Sequence, residues 1–254
     1  MELGTAPVLE VFASYQGEGL FVGQPQTFLR LAGCPLRCTY CDTPHSWARP
    51  SATTGDFVTP FEALVRVMRA EYDTERPISV TGGEPLIWPD FLMGLRHVAG
   101  ARALHLETAG HDLGLLRRVA PSFDHLSLDL KLSADLAPPA AHDFPEAELP
   151  ESAADFDHLR TGQLALLAER ARAGKQDCVK LVVQSNTDPN AFGSLLEDVK
   201  RLAPQLSLFI APASLRRDQA FGDLSTLDQV VSMALELDLE PRVLPQMHRA
   251  LGVR

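Results

Sequence analysis

Three of the four cysteines lie within eight positions, in the stretch RLAGCPLRCTYCDTPHSW. The spacing Cys34-x3-Cys38-x2-Cys41 allows a short loop to wrap one face of a cuboidal iron–sulfur cluster, with each thiolate holding one iron. The fourth iron would then have no protein ligand, much as a catalytic zinc site keeps one position free for substrate. Three thiols therefore indicate a reactive cluster, whereas four would indicate a closed structural or electron-transfer cluster.

A structural zinc site is the alternative for the same loop. His45 follows Cys41 at an interval that could complete a Cys3His tetrahedron. The fourth cysteine, Cys178, is far away in an apolar run, and we expect it to be a small buried side chain. A closed zinc loop would not explain the glycine pair in TGGEP, residues 81–85, so the wider pattern favours the cluster.

The charge distribution argues against nucleic acid as a partner. The chain has 254 residues and a formal net charge of −10, and no Lys or Arg lies between Lys131 and Arg160. It contains no basic stripe of the kind that phosphate neutralisation requires. Residues 133–158 are acidic and rich in Pro and Ala, so we expect an extended surface insertion there, with a lid or a partner-docking segment as the alternative.

The hydropathy pattern predicts a cytoplasmic protein without a membrane span. No stretch approaches the ~18 unbroken apolar residues of a span, and the N-terminus lacks a basic start followed by an apolar run. In a reducing compartment, clustered cysteines bind metals or catalyse more often than they form disulfides. With 45% hydrophobic residues, we expect a single domain over residues 1–254.

Strands and helices alternate along the chain. Apolar or alternating runs predict these strands: PVLEVFAS, QTFLRLAG, PISVT, ALHLET, HLSLDLK, CVKLVVQ and LSLFIAP. Helices are expected between them, over Phe91–Val98, Leu113–Val119, Gly162–Ala173 and Leu227–Leu239, after Thr59, and from Asp188. This order implies parallel pairing with right-handed crossovers. The predicted fold class is α/β, a partial parallel barrel of roughly six βα units.

Two side-chain placements follow from these elements. The helix after Thr59 begins with a capping box that Glu62 completes. Its apolar side chains fall on one face: Phe61, Leu64, Val65 and Met68. His105 and His125 lie on predicted strands without a visible partner, so we expect packed structural residues rather than acids or bases.

Together, CPLRCTYC and Gly82-Gly83-Glu84 resemble the radical S-adenosylmethionine (SAM) superfamily, whose CxxxCxxC loop and GGE motif they match. The resemblance implies that the open iron binds the amino and carboxylate groups of SAM. An electron from the cluster then cleaves SAM to give a 5′-deoxyadenosyl radical, while the protein positions the cofactor.

A closer resemblance is to the 7-carboxy-7-deazaguanine synthase (QueE) family of queuosine and deazapurine biosynthesis. It is carried by EVFASYQGEG, FLRLAGC, CDT and PQMHRALGVR, and runs from about Glu10 to the last residue. It implies a lyase that converts 6-carboxy-5,6,7,8-tetrahydropterin to 7-carboxy-7-deazaguanine with loss of ammonia, assisted by Mg²⁺. It also implies a homodimer and an electron donor such as flavodoxin or ferredoxin.

The resemblance assigns substrate-binding roles where the motifs match. The pterin edge is expected to meet Tyr15, Gln16, Gly17 and Glu18, because an amide, a carboxylate and backbone groups complement its donors and acceptors. Arg30 is expected to pair with the substrate carboxylate. Three further contacts are expected, from Thr81 and from His248 and Arg254 in a closing segment over residues 243–254.

The resemblance also assigns the metals and SAM. Cys34, Cys38 and Cys41 are the expected cluster ligands, and Thr43 resembles the Mg²⁺ ligand of the family. The expected SAM contacts are Tyr40 against the adenine, Cys41 and Asp42 in the loop, Gly83 and Glu84 on the methionyl ammonium, and Asp129 and Lys131 on the ribose and carboxylate. SLDLK departs from the Ser-Pro-Lys of the family, and the APAS stretch, residues 211–214, stands where a Gln-Pro pair is common and is expected to act through its backbone.

Two other functions remain open from the sequence. One is a radical SAM activase that generates a glycyl radical on a partner protein, with which the QGEG start is also compatible. The other is a zinc-stabilised binding module without catalysis. Arg30 and His248 favour the pterin over the activase, and metal analysis separates both enzymes from the zinc module.

Overall fold

A computed structural model describes residues 4–50, 56–71, 75–137, 156–213, 223–247 and 252. Within these ranges, no helix is long and apolar enough to cross a membrane. The strands are β1 (Ala6–Tyr15), β2 (Pro25–Leu31), β3 (Arg37–Cys38), β4 (Phe57–Val58), β5 (Ile78–Gly82), β6 (Leu104–Thr108), β7 (His125–Leu130), β8 (Leu136–Ala137), β9 (Cys178–Val183), β10 (Ser207–Pro212) and β11 (Arg242–Val243). The helices are α1 (Pro60–Ala70), α2 (Pro89–Ala99), α3 (Leu113–Val119), α4 (Phe156–Arg172), α5 (Gly193–Leu202) and α6 (Ser225–Glu236).

Nine strands form one sheet in the order β11-β10-β9-β7-β6-β5-β2-β1-β4. From β2 to β11 neighbouring strands are parallel, and the α/β fold with a partial parallel barrel is confirmed. The first two strands differ from the expected parallel order, because β1 pairs antiparallel with β2 and Tyr15 lies opposite Pro25. Residues 16–24 join them, which is fewer than the dozen or so that a parallel crossover needs.

The strands present aliphatic side chains to the helices and polar side chains to the inside of the barrel. Leu106 on β6 and Leu128 on β7 are fully buried in the core that packs on the helices. His105 on β6 points the other way, where the Gln26 amide of β2 lies 3.0 Å from its Nδ1 although β5 separates the two strands. The inner face is therefore concave, and its polar groups contact one another across it.

The helix α1 buries a different face from the one expected. Phe61 and Met68 are 64% and 59% exposed, whereas Ala63 and Val67 are fully buried. The buried small and β-branched side chains of α1 face β1 and α2, so Phe61 and Met68 point outwards, while Leu64 of the expected face packs partly against the core. The capping box at its start is as predicted.

The predicted insertion begins and ends in regular structure. Its first residues form a 3-10 turn, Ser133–Asp135, and β8, which pairs antiparallel with β3. The helix α4 begins at Phe156, whose ring packs near Cys34 and Leu36. Residues 138–155, which hold the rest of the acidic segment, lie outside the described part of the chain.

Candidate functional site

A cavity of about 220 Å³ lies inside the barrel, towards the carboxyl ends of its parallel strands. Every predicted site residue within the described part of the chain lines it: Tyr15, Gln16, Gly17, Glu18, Arg30, Cys34, Cys38, Tyr40, Cys41, Asp42, Thr43, Thr81, Gly83, Glu84, Asp129 and Lys131. Ala211 and Pro212 of the APAS stretch line it as well. His248, Arg254 and Ser214 lie outside the described residues.

The cysteine loop, residues 32–47, forms the upper wall of this cavity. Its two ends are tied together, because the Gly33 N–H donates to the Ser46 carbonyl over 2.8 Å and the Cys34 N–H donates to the Trp47 carbonyl over 3.0 Å. The hydroxyl of Thr43 lies 3.9 Å from the Cys41 sulfur. This closed loop brings three thiols to one cavity from eight consecutive residues.

The three thiols have different surroundings. Burial raises the pKa of the Cys34 thiol, whose sulfur accepts the Leu36 N–H over 3.4 Å. Burial also raises the pKa of the Cys38 thiol, and the nearby Lys131 ammonium opposes that rise. The Cys41 sulfur accepts the indole N–H of Trp47 over 3.1 Å. Each sulfur thus has one N–H or ammonium group near it, which can stabilise a metal-bound thiolate against the neighbouring carboxylates.

This arrangement fits a cluster better than a single ion. Among the described residues, no three His, Cys, Asp or Glu side chains converge closely enough to hold one ion. A cuboidal cluster does not need that convergence, because each thiolate binds its own iron. His45 is exposed and does not line the cavity, so the Cys3His arrangement of the zinc alternative is not assembled.

The GGE motif lies against the start of the cysteine loop, and its glycines are required by packing. A Cβ on Gly83 would be 2.2 Å from the Gly33 carbonyl oxygen, and one on Gly82, where φ is +143°, would be 2.1 Å from that of Leu31. The buried Glu84 carboxylate accepts the Thr108 hydroxyl over 2.6 Å and the Leu86 and Ala109 N–H groups over 3.0 and 2.8 Å. In this structure the Glu84 side chain therefore fixes the loop.

Residues 16–24, which connect β1 to β2, form the floor of the cavity and are called the floor segment below. Because β1 is antiparallel, this segment enters the barrel from the amino end of β2. The Gln16 amide donates to the Glu107 carboxylate over 2.7 Å, which also accepts the Ser79 and Thr81 hydroxyls over 3.2 and 3.3 Å. The sequence analysis did not single out Glu107. Its charge on the otherwise apolar strand ALHLET is a signal that this side chain faces a polar cavity and not the core.

Charges alternate along the wall formed by β7 and β9. The buried Lys180 ammonium lies 2.7 Å from the Glu18 carboxylate and 3.4 Å from that of Asp129. Burial alone would lower the Lys180 pKa, but these carboxylates and Glu107 raise it well above its ordinary value. Asp129 also pairs with Lys131 over 3.3 Å. Sequence reasoning missed Lys180, a cation within the buried strand CVKLVV.

Arg30, Tyr15 and Tyr40 occupy other parts of the wall. The Arg30 Nε donates to the Glu10 carboxylate over 2.7 Å, while its side chain lines the cavity and keeps only 16% exposure. The Lys131 ammonium lies 5.1 Å from the centre of the Tyr40 ring, a cation–π contact. Tyr15 is 48% exposed at the rim.

Gln246 connects the segment after β11 to the floor segment and to the cysteine loop. Its amide donates to the Glu18 and Asp42 carboxylates, each over 2.7 Å. The adjacent Met247 N–H donates to the Gly17 carbonyl over 3.0 Å. Sequence reasoning gave Gln246 no role, because nothing in its local sequence indicates which element the segment meets.

Comparison with known proteins places these features in a family. A model of the radical SAM superfamily matches residues 29–137. The chain is 35% identical to a 7-carboxy-7-deazaguanine synthase of Methanothermobacter thermautotrophicus. The alignment has 257 positions, including gaps, and covers 100% of both proteins.

Two solved structures share the fold. The crystal structure of QueE from Escherichia coli has a TM-score of 0.59 and 19% identity, and covers 94% of this chain and 93% of that one. Streptococcus suis SuiB bound to S-adenosylmethionine has a TM-score of 0.53 and 13% identity, and covers 84% of this chain and 48% of that one. At these identities the likeness is one of fold.

Proposed function

This chain belongs to the 7-carboxy-7-deazaguanine synthase family, and we propose that it makes 7-carboxy-7-deazaguanine from 6-carboxy-5,6,7,8-tetrahydropterin with loss of ammonia. It is a radical SAM lyase that uses an iron–sulfur cluster and SAM. The observation that carries the proposal is the convergence on one cavity of the cysteine loop, the GGE loop and the polar floor segment.

The cysteines fit the cluster as its protein ligands. When bound, the cluster and SAM together supply a 5′-deoxyadenosyl radical that abstracts a hydrogen atom from the substrate. The protein's share is to hold Cys34, Cys38 and Cys41 in one tied loop, and to cover them with Trp47 and Lys131.

SAM is assigned to the upper part of the cavity. Since Glu84 is already engaged by three protein donors, we assign the methionyl ammonium chiefly to backbone carbonyls beside Gly83. Tyr40 and Asp42 lie on the same wall, and are assigned to the adenine side of the cofactor. The Lys131 ammonium and the Asp129 carboxylate offer a cation and an acceptor for the carboxylate and the ribose.

The pterin is assigned to the floor. Its amide-like edge presents N–H donors and a carbonyl acceptor, which the Glu18 and Glu107 carboxylates and the Gln16 amide complement. Thr81 lines the same region, and hydrogen bonds to Glu107. Arg30 is assigned to the substrate carboxylate, because a planar guanidinium binds a carboxylate through two parallel hydrogen bonds.

A Mg²⁺ ion beside Thr43 is part of the proposal. The Thr43 hydroxyl lines the cavity near Asp42, and Mg²⁺ prefers oxygen ligands completed by waters and substrate oxygens. His248 and Arg254 are proposed to complete the cover over the substrate. The contacts of Gln246 and Met247 with the floor and the cysteine loop support a closing role for residues 243–254.

The partners are a small-molecule substrate and a reductant. We propose flavodoxin or ferredoxin as that reductant, a homodimer as the assembly, and the cytoplasm as the location. The cytoplasm is consistent with three neighbouring free thiols, which a reducing compartment preserves.

The direct test is an anaerobic assay of cluster-reconstituted protein with SAM, Mg²⁺, reductant and 6-carboxytetrahydropterin. Mass spectrometry should detect both 5′-deoxyadenosine and 7-carboxy-7-deazaguanine. Formation of 5′-deoxyadenosine without that product would support the radical chemistry but reject the substrate. The activase would then be the favoured function. The absence of both products in protein that binds zinc and no iron would reject the enzyme.

A further inference from the structure

The side chain of Trp47 contacts a cluster cysteine directly. Its indole Nε1–H donates to the Cys41 sulfur over 3.1 Å, well within the range of a hydrogen bond to sulfur. Trp47 lines the cavity, so this donor lies on the cluster side of the cysteine loop. The residue is six positions after Cys41, beyond the family motif that identified the cysteines.

The indole ring is held in place from its other side. The Arg37 guanidinium lies 4.7 Å from the centre of the Trp47 ring, in a cation–π contact. Arg37 is itself anchored by hydrogen bonds to the Cys34 carbonyl over 2.9 Å and to the Leu36 carbonyl over 2.5 Å. The loop therefore fixes the direction of the indole N–H before any ligand binds.

We propose that Trp47 is a positioning residue that raises the reduction potential of the cluster through its hydrogen bond to the Cys41 sulfur. An N–H dipole aimed at a coordinating sulfur stabilises the extra negative charge of the reduced cluster more than the charge of the oxidised one. The inference rests on the proposed function to the extent that the three cysteines bind a cluster.

The surroundings of the other two sulfurs make Trp47 the informative position to change. Cys34 receives a main-chain N–H from Leu36, which a substitution cannot remove. Lys131, near Cys38, also pairs with Asp129 and is assigned to SAM, so its loss would change several interactions together. A change at Trp47 can remove one N–H while leaving all three sulfurs in place.

The chain contains a matched control in its second tryptophan. Trp88 donates its indole N–H over 2.9 Å to the Ala32 carbonyl, not to a sulfur. The Arg49 guanidinium stacks on its ring with 5.0 Å to the centroid, as Arg37 does on Trp47. Trp88 does not line the cavity. Trp88 belongs to the main core and Trp47 is only partly buried, but each has a stacked guanidinium and a bonded indole N–H, and only that of Trp47 meets a sulfur.

The test compares Trp47→Phe, Trp88→Phe and the unchanged protein after cluster reconstitution. Redox titration followed by electron paramagnetic resonance of the reduced cluster gives the midpoint potential of each. At the midpoint of the unchanged protein, we expect Trp47→Phe to show a reduced-to-oxidised ratio about tenfold smaller, which for one electron corresponds to about 59 mV. Trp88→Phe should keep the original midpoint.

A second substitution separates the N–H from the packing of the ring. Replacement of Trp47 by 3-benzothienylalanine keeps a bicyclic ring but lacks the N–H, and should shift the midpoint in the same direction. Resonance Raman iron–sulfur stretches should move on exchange into D₂O in the unchanged protein, and less so in this variant. If Trp47→Phe fails to hold a cluster, this variant decides the question.

An unchanged midpoint in the benzothienyl variant, or an equal shift in Trp88→Phe, would overturn the role of Trp47. Those results would leave the proposed function intact as long as iron, sulfide and 5′-deoxyadenosine are present. Protein without any iron–sulfur cluster would instead reject the proposed function, and the tuning role with it.

Discussion

The inside of the barrel has two polar layers, one above the floor segment and one below it, and they differ in charge. Above it, the ammonium of Lys180 lies between the Glu18 and Asp129 carboxylates. Below it lies the histidine layer, which consists of His105, His125 and Cys178 and is covered by the Phe21 ring of the floor segment itself. The strand residues of both layers face the inside of the barrel, yet only those of the upper layer line the cavity.

The histidine layer is closed by its own contacts. The Phe21 ring lies with its centre 4.7 Å from each of the His105 and His125 rings, and the two imidazoles are 5.2 Å apart. The Gln26 amide donates to His105 Nδ1, and His125 Nδ1–H donates to the Gln176 carbonyl. Nδ1 of His105 accepts its bond and is therefore unprotonated, and burial lowers the pKa of both imidazoles, as suits packed structural residues.

Burial lowers the pKa of the basic groups on both sides of the floor segment, but their neighbours decide the net shift. Below it, burial lowers the pKa of His105 to about 4, with the neighbouring His125 adding to the effect. Above it, opposite charges keep Lys180 protonated in spite of burial. Groups that satisfy one another as neutral species stabilise the fold, whereas charged groups around a cavity are available to orient charged ligands.

The two classes of cysteine should give the largest contrast. Cys38→Ala is expected to abolish 5′-deoxyadenosine formation and to lower bound iron and sulfide, because one iron loses its ligand. The control, Cys178→Ala, removes a sulfur that lies 3.5 Å from the Ser127 hydroxyl below the floor. It should keep its iron and lose only about 1 kcal/mol of unfolding free energy. Equal loss of iron in both variants would contradict the separation of the two layers.

Removal of the buried cation above the floor should destabilise the protein strongly. Lys180→Met leaves the Glu18 and Asp129 carboxylates without their shared partner, and should lower the free energy of unfolding by about 3 kcal/mol. The matched control is Lys200→Met, whose exposed ammonium is 3.8 Å from Asp238 and should matter by less than about 1 kcal/mol. Urea denaturation of both variants measures the difference. Similar losses would show that Lys180 is not held as a buried charge.

Acid should act on the histidine layer. His105 has an ordinary pKa of 6.5 when unfolded and about 4 when folded, so the unfolded chain binds the extra proton between these values. Its contribution to stability is present above pH 6.5 and is lost as the pH falls towards 4, by up to about 3 kcal/mol. Denaturation at a series of pH values should show this slope, with other groups adding to it.

The control for that slope is His105→Gln, which cannot titrate. Charged Asp124 and the neighbouring His125 also act on His105, so the comparison is the difference between the two proteins at each pH. The unchanged protein should lose more stability than His105→Gln between pH 6.5 and 4. Parallel curves would mean that His105 is not buried in its neutral form.

Much of this organisation is predictable from alternation within single strands. In ALHLET the leucines face the helices while His105 and Glu107 face inwards, and CVKLVV places Cys178 and Lys180 in the same way. The motifs placed the cysteine loop and the GGE loop on the correct cavity. Glu107 and Lys180, charged residues on otherwise apolar strands, are recognisable in the same way, although no motif includes them.

Other features depend on contacts between distant segments. The antiparallel pairing of β1 with β2 follows from a connection that is too short for a crossover. That this connection, residues 16–24, lies inside the barrel depends on the partners that its side chains find there, such as Glu107 for Gln16. Gln246 meets Glu18 from 228 positions away, which no local pattern encodes. The apolar pattern of α1 predicted a face that includes Phe61. The helix instead buries the small side chains of Ala63 and Val67 in the core, and Phe61 is exposed.

The smallest effect is expected where the chain after β11 closes on the upper layer. Gln246→Leu removes two hydrogen bonds, to Glu18 and Asp42, and should raise the KM for the pterin several-fold, equivalent to about 1 kcal/mol. Gln184→Leu is the control, because this amide also makes two hydrogen bonds, to Thr39 and Asp135, and none of these three residues lines the cavity. Steady-state kinetics should show an unchanged KM for the control.

The most direct test of the whole account is an anaerobic crystal structure of the reconstituted protein with SAM and 6-carboxytetrahydropterin. We expect the cluster on Cys34, Cys38 and Cys41, the pterin on the floor against Glu18, and its carboxylate on Arg30. The histidine layer should be unchanged, with no ligand below the floor segment. A pterin bound outside this cavity, or one whose carboxylate lies away from Arg30, would contradict the assignment of the upper layer to substrate.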